Sequence, residues 1–456
     1  MRSPRTEVAI IGSGVAGLTA ACYLARSGVS VTLFEKASSL GGRATTQEYS
    51  GYWFNRGIHA LYTGGAASEV LHDLGIAYTG HTPRDIVILR QGRLYKAPYD
   101  LRALLRTHLF GVADKLELMR IFAAIPQINA RELARTSVQD WLERTIRRPQ
   151  VRRFLANFAS TYVYSAALDV VSAEVLVAKM QLTLKNPVIY VDGGWQSLVE
   201  GLRRAAEQAG ATLVSGTRVE AVEYEEGQVQ GVRLRDGSQI RADAVVIAAT
   251  PADAVKLVDN GEYPALRRIV EGLLPAQVAC LDVALSRLPD SRHAIVQDME
   301  HPRFMSTQSL YSRVAPEGGA LIYTFKQLDP RQQSDPHEDR RDLEDLLDTA
   351  QPGWREVLVK DRYLPCIEAV GMVPTAQGGG YAGRPGTQVP GITNLYLAGD
   401  WIGDWFLSDA SFGSARQVAQ QVLQQEMRRV PACSGGEVTG ERRTLCSPRQ
   451  FVLPSQ

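Results

Sequence analysis

The sequence is poor in several features that would point to particular functions. Its 456 residues include five cysteines, Cys22, Cys280, Cys366, Cys433 and Cys446, with no CxxC pair among them. That odd, scattered set excludes a zinc-finger pattern or a disulfide framework and reads as reduced thiols. Only Cys433 and Cys446, in a polar tail, leave a pairing open. Charge of one sign is also lacking: 50 Lys and Arg against 49 Asp and Glu leave a net +1. That balance speaks against nucleic acid as a partner. No run approaches the ~18 consecutive apolar residues of a membrane span. No signal peptide precedes the first apolar run, so a cytoplasmic location is expected. No internal repeat and no metal-ligand cluster is apparent. What remains is ordinary globular composition, 45 % hydrophobic and 22 % charged, over a length beyond one simple core.

The first motif comes almost at once, in "EVAIIGSGVAGLTAACYLARSGVSVTLFEK", Glu7 to Lys36. Val8 to Ile11 is a continuous apolar run, as in a strand buried on both faces. Gly12, Gly14 and Gly17 then spell G-x-G-x-x-G. Gly12 permits the tight turn, Gly14 a close approach to a pyrophosphate, and Gly17 close packing of helix on strand. Val15 and Ala16 open a helix rich in Ala and Leu, whose first amides face the phosphates. Gly28 ends it, and Val29 to Phe34 reads as a second strand. Glu35 at its end is placed to accept hydrogen bonds from ribose hydroxyls, with Lys36 beside it. This layout marks a dinucleotide site without distinguishing NAD from FAD.

Leu40-Gly41-Gly42-Arg43-Ala44 adds backbone donors and a cation suited to a longer diphosphate ligand. It resembles the "GG-R" signature of the FAD-dependent superfamily of flavin amine oxidases, phytoene desaturases and protoporphyrinogen oxidases. Gly51–Gly65 is similar to that superfamily's "f-D-x-G-x-H" segment, which runs along the flavin ring; Gly57, Ile58 and His59 match, and Asn55 replaces the acid. His59 is either a catalytic base or a ring-packing neighbour. Val191–Val258 resembles the family's middle segment. It has a helix from Ser197 to Gln208, strands turning at Glu226-Gly227 and Asp236-Gly237, and a buried strand ending at Ala249. The resemblance implies that Val219 contacts the adenine. No second G-x-G-x-x-G is present, so no NAD(P)H site is expected.

Gly391–Leu423 resembles the late "G-D" segment: Gly399 and Asp400 are implied near the ribityl chain and pyrophosphate. Ser408 and Asp409 are good caps for a helix starting near Ala410. The resemblance implies that this helix, through Ser411, faces the flavin pyrimidine edge, where its dipole stabilises the reduced flavin's charge.

The expected fold is α/β: a Rossmann-type FAD-binding domain from discontinuous segments (1–79, 190–258, 386–430) plus an α+β substrate-binding domain (80–189, 259–385). A flexible tail, 431–456, is expected to follow. Leu101–Ile125 has a broad apolar face with basic residues. It reads as a helix pair over the substrate cavity in preference to a membrane contact, because Asp114 and Glu117 interrupt its basic face.

The resemblance implies an FAD-dependent oxidoreductase taking hydride from a small-molecule substrate to flavin N5. Dioxygen or a quinone-like acceptor would reoxidise the flavin. The strand aligned with the amine oxidases' lysine strand, Ala276–Leu288, has no Lys, and Lys326 is a weak substitute. Gly380 stands where some amine oxidases attach flavin through Cys, so FAD is expected to be noncovalent. These absences favour desaturation of a largely apolar or cyclic substrate. Flavin amine oxidation at a C–N bond and a redox-neutral isomerase or dehydratase stay as alternatives. Catalytic candidates are few: His59, Tyr381 as one wall of an aromatic cage, and Trp401 as either cavity lining or core.

Overall fold

The computed structural model describes residues 5–98 and 100–429. The expected tail, with Cys433 and Cys446, lies outside them. The apolar run after Glu7 forms the central strand, Arg5–Ile11. It pairs in parallel with Val31–Phe34 on one side and Gln239–Ile247 on the other. Thr212–Val214 extends the sheet beyond Val31–Phe34, and Leu395–Leu397 pairs with Gln239–Ile247. Numbered by chain order, these five parallel strands run 3-2-1-4-5, the doubly wound Rossmann order. Val219–Glu225 and Gln228–Leu234 continue the edge as an antiparallel meander.

The central strand is apolar throughout because both its faces are covered. Val8 and Ile10 pack with the helices Val15–Arg26, Gln196–Gln208 and Ser408–Arg429. Ala9 and Ile11 face the meander side with Val222, Val232 and Leu397. The period-two alternation of a strand thus divides one run between two cores.

The second sheet has seven strands drawn from Ile86–Lys96 and Ala276–Val370, with Arg303–Thr307 in the middle and Ala276–Leu285 next to one edge. The helix Pro336–Ala350 covers one face through Leu343, Leu346 and Leu347. Asp335 caps it, accepting from the His337 amide at 2.8 Å. The segment 80–190 is less uniformly helical than its pattern suggests. It opens with the hairpin Ile86–Arg90 and Arg93–Lys96, which joins the second sheet, before the helices from Leu101 to Lys185. A short alternating run before a long helical stretch is masked when the segment is read as one window.

Glycines fix the join between the two ends of the first motif. A Cβ on Gly12, whose φ is +104°, would lie 2.4 Å from the Ala248 carbonyl oxygen. One on Gly17 would lie 1.9 Å from the Gly12 carbonyl oxygen. Backbone atoms cannot yield as a flexible side chain can, so Gly17→Ala forces helix and strand apart. Overpacking of this kind costs about 1–3 kcal/mol. Thermal unfolding of Gly17→Ala should show a lowered Tm, and an unchanged Tm would contradict this packing.

Candidate active site

Ile11, Phe34, Ile247 and Leu397 all end at one edge of the first sheet. The loops leaving that edge open a cavity of about 1020 Å³ between the two sheets. This is the carboxyl edge where doubly wound sheets bind ligands. Gly12, Gly14, Val15, Ala16, Glu35, Lys36, Gly41, Gly42, Arg43, Ala44, Ile58, His59, Val219, Ala249, Gly399, Asp400 and Ser411 all line it. Of the expected cofactor residues, Gly17 and Gly57 do not. Gly17 is occupied by the helix–strand contact, and a Cβ on Gly57 would lie 2.8 Å from Ile367.

Gly14 is the one glycine of the first motif that faces open space: a Cβ there meets no atom within 4 Å. The first backbone bond of the following helix runs from Leu18 N–H to the Gly14 carbonyl at 3.0 Å. The amides of Val15, Ala16 and Gly17 therefore have no intrahelical acceptor. Glu35 already has partners. Its Oε2 accepts from the amide and hydroxyl of Ser13, at 2.9 and 2.7 Å, and its Oε1 from the Ala37 amide at 2.8 Å. It braces the glycine loop as well as facing the cavity. Lys36 pairs with Asp253 at 2.8 Å.

Arg43 and Asp400 meet across the cavity at 2.6 Å. Arg43 also donates to the Glu368 carbonyl at 3.3 Å, and Asp400 accepts from the Gly371 amide at 2.8 Å. Burial opposes both charges, but Arg43 holds the Asp400 carboxyl below its usual range. Asn55, which stands in for the family's acid, bridges two elements. Its Oδ1 accepts from the Trp195 amide at 3.0 Å and the Thr46 hydroxyl at 2.7 Å. Its Nδ2 donates to Gln308 Oε1 at 3.4 Å, which a carboxylate cannot do.

The far wall is apolar. Val278 and Cys280 on the second sheet cluster with Ile58, Tyr164, Ile367 and Ala369. Tyr62 and Leu407 close the side. Tyr164 stacks on Phe325, their ring centroids 5.5 Å apart. Burial pushes the Cys280 thiol up, and the Cys366 thiol as well. His59 is lowered to about 4, chiefly by burial and also by the Arg43 and Arg362 guanidiniums. Its Nδ1 lies 3.0 Å from the Gly57 carbonyl and its ring 5.0 Å from that of Trp195. A neutral imidazole packed in this way is a weak base near pH 7.

The structure places three of the sequence candidates away from the cavity. Trp401 is fully buried and donates its indole N–H to the Ala249 carbonyl at 3.0 Å, so it belongs to the core and not to the lining. Tyr381 is absent from the lining; its amide donates to Glu174 Oε2 at 2.9 Å, on the helix Ala173–Lys185. Lys326 is held by Asp339 and Asp342, at 2.8 and 2.5 Å, against the covering helix and away from the cavity. Asp409 also departs from its expected role. The last helix begins at Ser408, so Asp409 sits inside its first turn; its Oδ1 accepts instead from the Ala67 amide at 2.9 Å, capping the helix Ala66–Asp73.

The sequence reading missed Lys179. Its ammonium is fully buried, has no hydrogen-bond partner, and lies 3.2 Å from the centroid of the Tyr62 ring. Asp409 Oδ2 is 4.0 Å away. The available signal was a Lys following the apolar run Val175–Ala178 within the helix Ala173–Lys185.

The family described as "Flavin containing amine oxidoreductase" matches residues 15–423. Among curated relatives, the 4,4'-diaponeurosporene oxygenase of Staphylococcus aureus (strain bovine RF122 / ET3-1) is 25 % identical over 276 residues, covering 53 % of this chain and 55 % of that protein. The chain thus spans about half the length of the curated relatives it matches. An oxidoreductase from Methanosarcina mazei has a similar structure, with TM-score 0.73, 16 % identity, and coverage of 90 % of this chain and 99 % of that one. So does cyclohexylamine oxidase from Brevibacterium oxydans IH-35A, with TM-score 0.68, 19 % identity, and coverage of 93 % and 100 %.

The buried lysine gives a pH test. Burial lowers Lys179 to about 8, and Asp409 only partly offsets this. In the unfolded chain it titrates near its ordinary value of about 10.4, so between these values the unfolded state binds more protons and stability rises with pH. Denaturation of wild type and Lys179→Met from pH 7.5 to 10 should show the difference moving in favour of wild type. A difference independent of pH would contradict the burial of this ammonium.

Proposed function

The chain belongs to the flavin-containing amine oxidoreductase family, and from that premise we propose that it desaturates a largely apolar or cyclic small molecule. Family membership makes it an FAD-dependent oxidoreductase. When bound, FAD supplies the acceptor for a hydride from substrate carbon. The chain's own residues bind, orient and exclude water.

Several features of the cavity fit FAD. The open space beside Gly14 leaves room for a pyrophosphate against the backbone, and the free amides of Val15, Ala16 and Gly17 donate toward it. Glu35, Lys36, Val219 and Ala249 take the adenosine end, and Gly41, Gly42 and Ala44 the middle. Arg43 and Asp400 arrive there as a neutral pair, so Arg43 orients through its remaining donors more than it neutralises. Ile58 and His59 would pack against the ring, and Ser411 at the start of the last helix would hold its pyrimidine edge. Gly380, where some amine oxidases carry the attaching Cys, supports noncovalent FAD.

The apolar far wall carries the choice of substrate. Val278, Cys280, Ile367, Leu407, Tyr62 and Tyr164 present apolar and aromatic surface there, and the lining carboxylate Glu368 beside Ile367 is turned to Arg43. The lining lysines, Lys36 and Lys256, lie with Asp253 at the opposite end. Lys179 stands behind the Tyr62 ring, 4.0 Å from Asp409, and its charge disfavours an ammonium against that ring. A greasy or flat substrate loses least on entering such a site. With no second nucleotide motif in the sequence, dioxygen or a quinone-like compound is the acceptor we favour.

Two measurements test this reading. Anaerobic addition of an unsaturated isoprenoid should bleach the holoprotein's flavin, whereas simple alkyl amines should leave it oxidised; bleaching by amines alone would overturn the proposal. Gly14→Ala, at a φ of −60° and with no protein neighbour, should fold with an unchanged apoprotein Tm. Its FAD affinity should fall by about 1.4 kcal/mol or more, a tenfold weaker Kd. Wild-type affinity in that variant would remove Gly14 from the binding loop.

A further inference from the structure

The helices Leu101–Arg106 and Val112–Ala124 carry a surface that neither the cavity nor the core uses. In the sequence, Asp114 and Glu117 break up its basic face, which argues against a lipid contact. The structure turns both acids inward, 6 % and 9 % exposed. Asp114 Oδ2 accepts from the Gly111 amide at 3.2 Å, and its Oδ1 from Arg148 Nε at 2.7 Å. Glu117 accepts from the amides of Arg147 and Arg148 at 2.8 and 2.9 Å. The only acid of the segment left exposed is Asp100, spent on capping the first helix through the Ala103 amide.

What faces outward is apolar and cationic. Leu101, Leu105, Val112 and Leu116 are 60, 58, 78 and 59 % exposed, the four most exposed large apolar side chains among the described residues. Leu101 and Leu105 share a helical face, as do Val112 and Leu116, being four apart. Lys115 ties the helices together by donating to the Leu105 carbonyl at 2.9 Å, one residue before Leu116 in the chain. Arg102, Arg106 and Arg120 are exposed around them.

We propose that this face docks the protein on an anionic phospholipid surface. The four apolar side chains enter the boundary between headgroups and acyl chains, and Arg102, Arg106, Lys115 and Arg120 meet the lipid phosphates. Basic residues rimming an apolar patch match such a surface in both chemistry and charge. A second copy of the chain matches poorly, because an isologous contact sets this cationic rim against itself. No helix among the described residues is long and apolar enough to span a bilayer, so the contact is one-sided.

Holoprotein should be sedimented with phosphatidylcholine vesicles and with vesicles also containing phosphatidylglycerol, following flavin absorbance. Binding is expected to the anionic vesicles, weakened by salt. Leu105→Ser/Leu116→Ser and Arg102→Gln/Arg106→Gln should each lower partitioning by about tenfold or more. Both pairs are exposed, so an unchanged Tm and flavin content verify folding. No binding to anionic vesicles, or variants that bind like wild type, would overturn the proposal. So would a concentration-dependent dimer, seen by sedimentation velocity, that the leucine variant abolishes.

Discussion

The contact on which the cavity depends is the ion pair of Arg43 with Asp400. Each comes from a glycine turn, one following the second strand of the parallel sheet and the other its fifth. Asp400 is buried, and a buried carboxylate left without its partner is strongly destabilising. Together they hold the two turns at a fixed spacing. Arg384 adds to this by donating to the Asp400 carbonyl at 2.5 Å, and Gly371 by donating to its carboxylate. These last bonds reach into the segment that follows the second sheet. One carboxylate therefore registers both sheets against the cavity, and glycines allow the approach.

Much of this was legible in the sequence, for reasons that can be named. The turn glycines, the apolar central strand and the meander all follow from local rules: period, punctuation and forced backbone geometry. Gly12, Gly14 and Gly17 were assigned distinct jobs, and the space around each agrees with them. What failed was long-range partnership. Trp401 looked equally able to line a cavity or fill a core, and Tyr381 was read as a cage wall, because an aromatic carries no local sign of which side its backbone presents. Asp409 looked like a cap for its own helix, and instead caps a helix more than three hundred residues earlier in the chain. Glu35 was expected to turn to a ligand, and it also braces the loop that faces the ligand.

The apolar end of the cavity shows the same limit more sharply. No motif announces it. Its walls come from Tyr62, Tyr164, the strand carrying Cys280 and the strand carrying Ile367, brought together only by the packing of two sheets. Lys179 is the least predictable of all: a charged residue following an apolar run, pointed at the face of a tyrosine. Sequence marks where such a residue departs from pattern but not what it meets.

The parallel sheet is gathered from remote parts of the chain. Arg5–Ile11 lies beside Gln239–Ile247, which in turn pairs with Leu395–Leu397. During synthesis the first strand therefore emerges with Val31–Phe34 at hand on one side, while Gln239–Ile247 on its other side is still to be made. A nascent chain has Arg43 without Asp400 and half a cradle for the cofactor. Flavin capture thus belongs to a chain in which all five parallel strands are present.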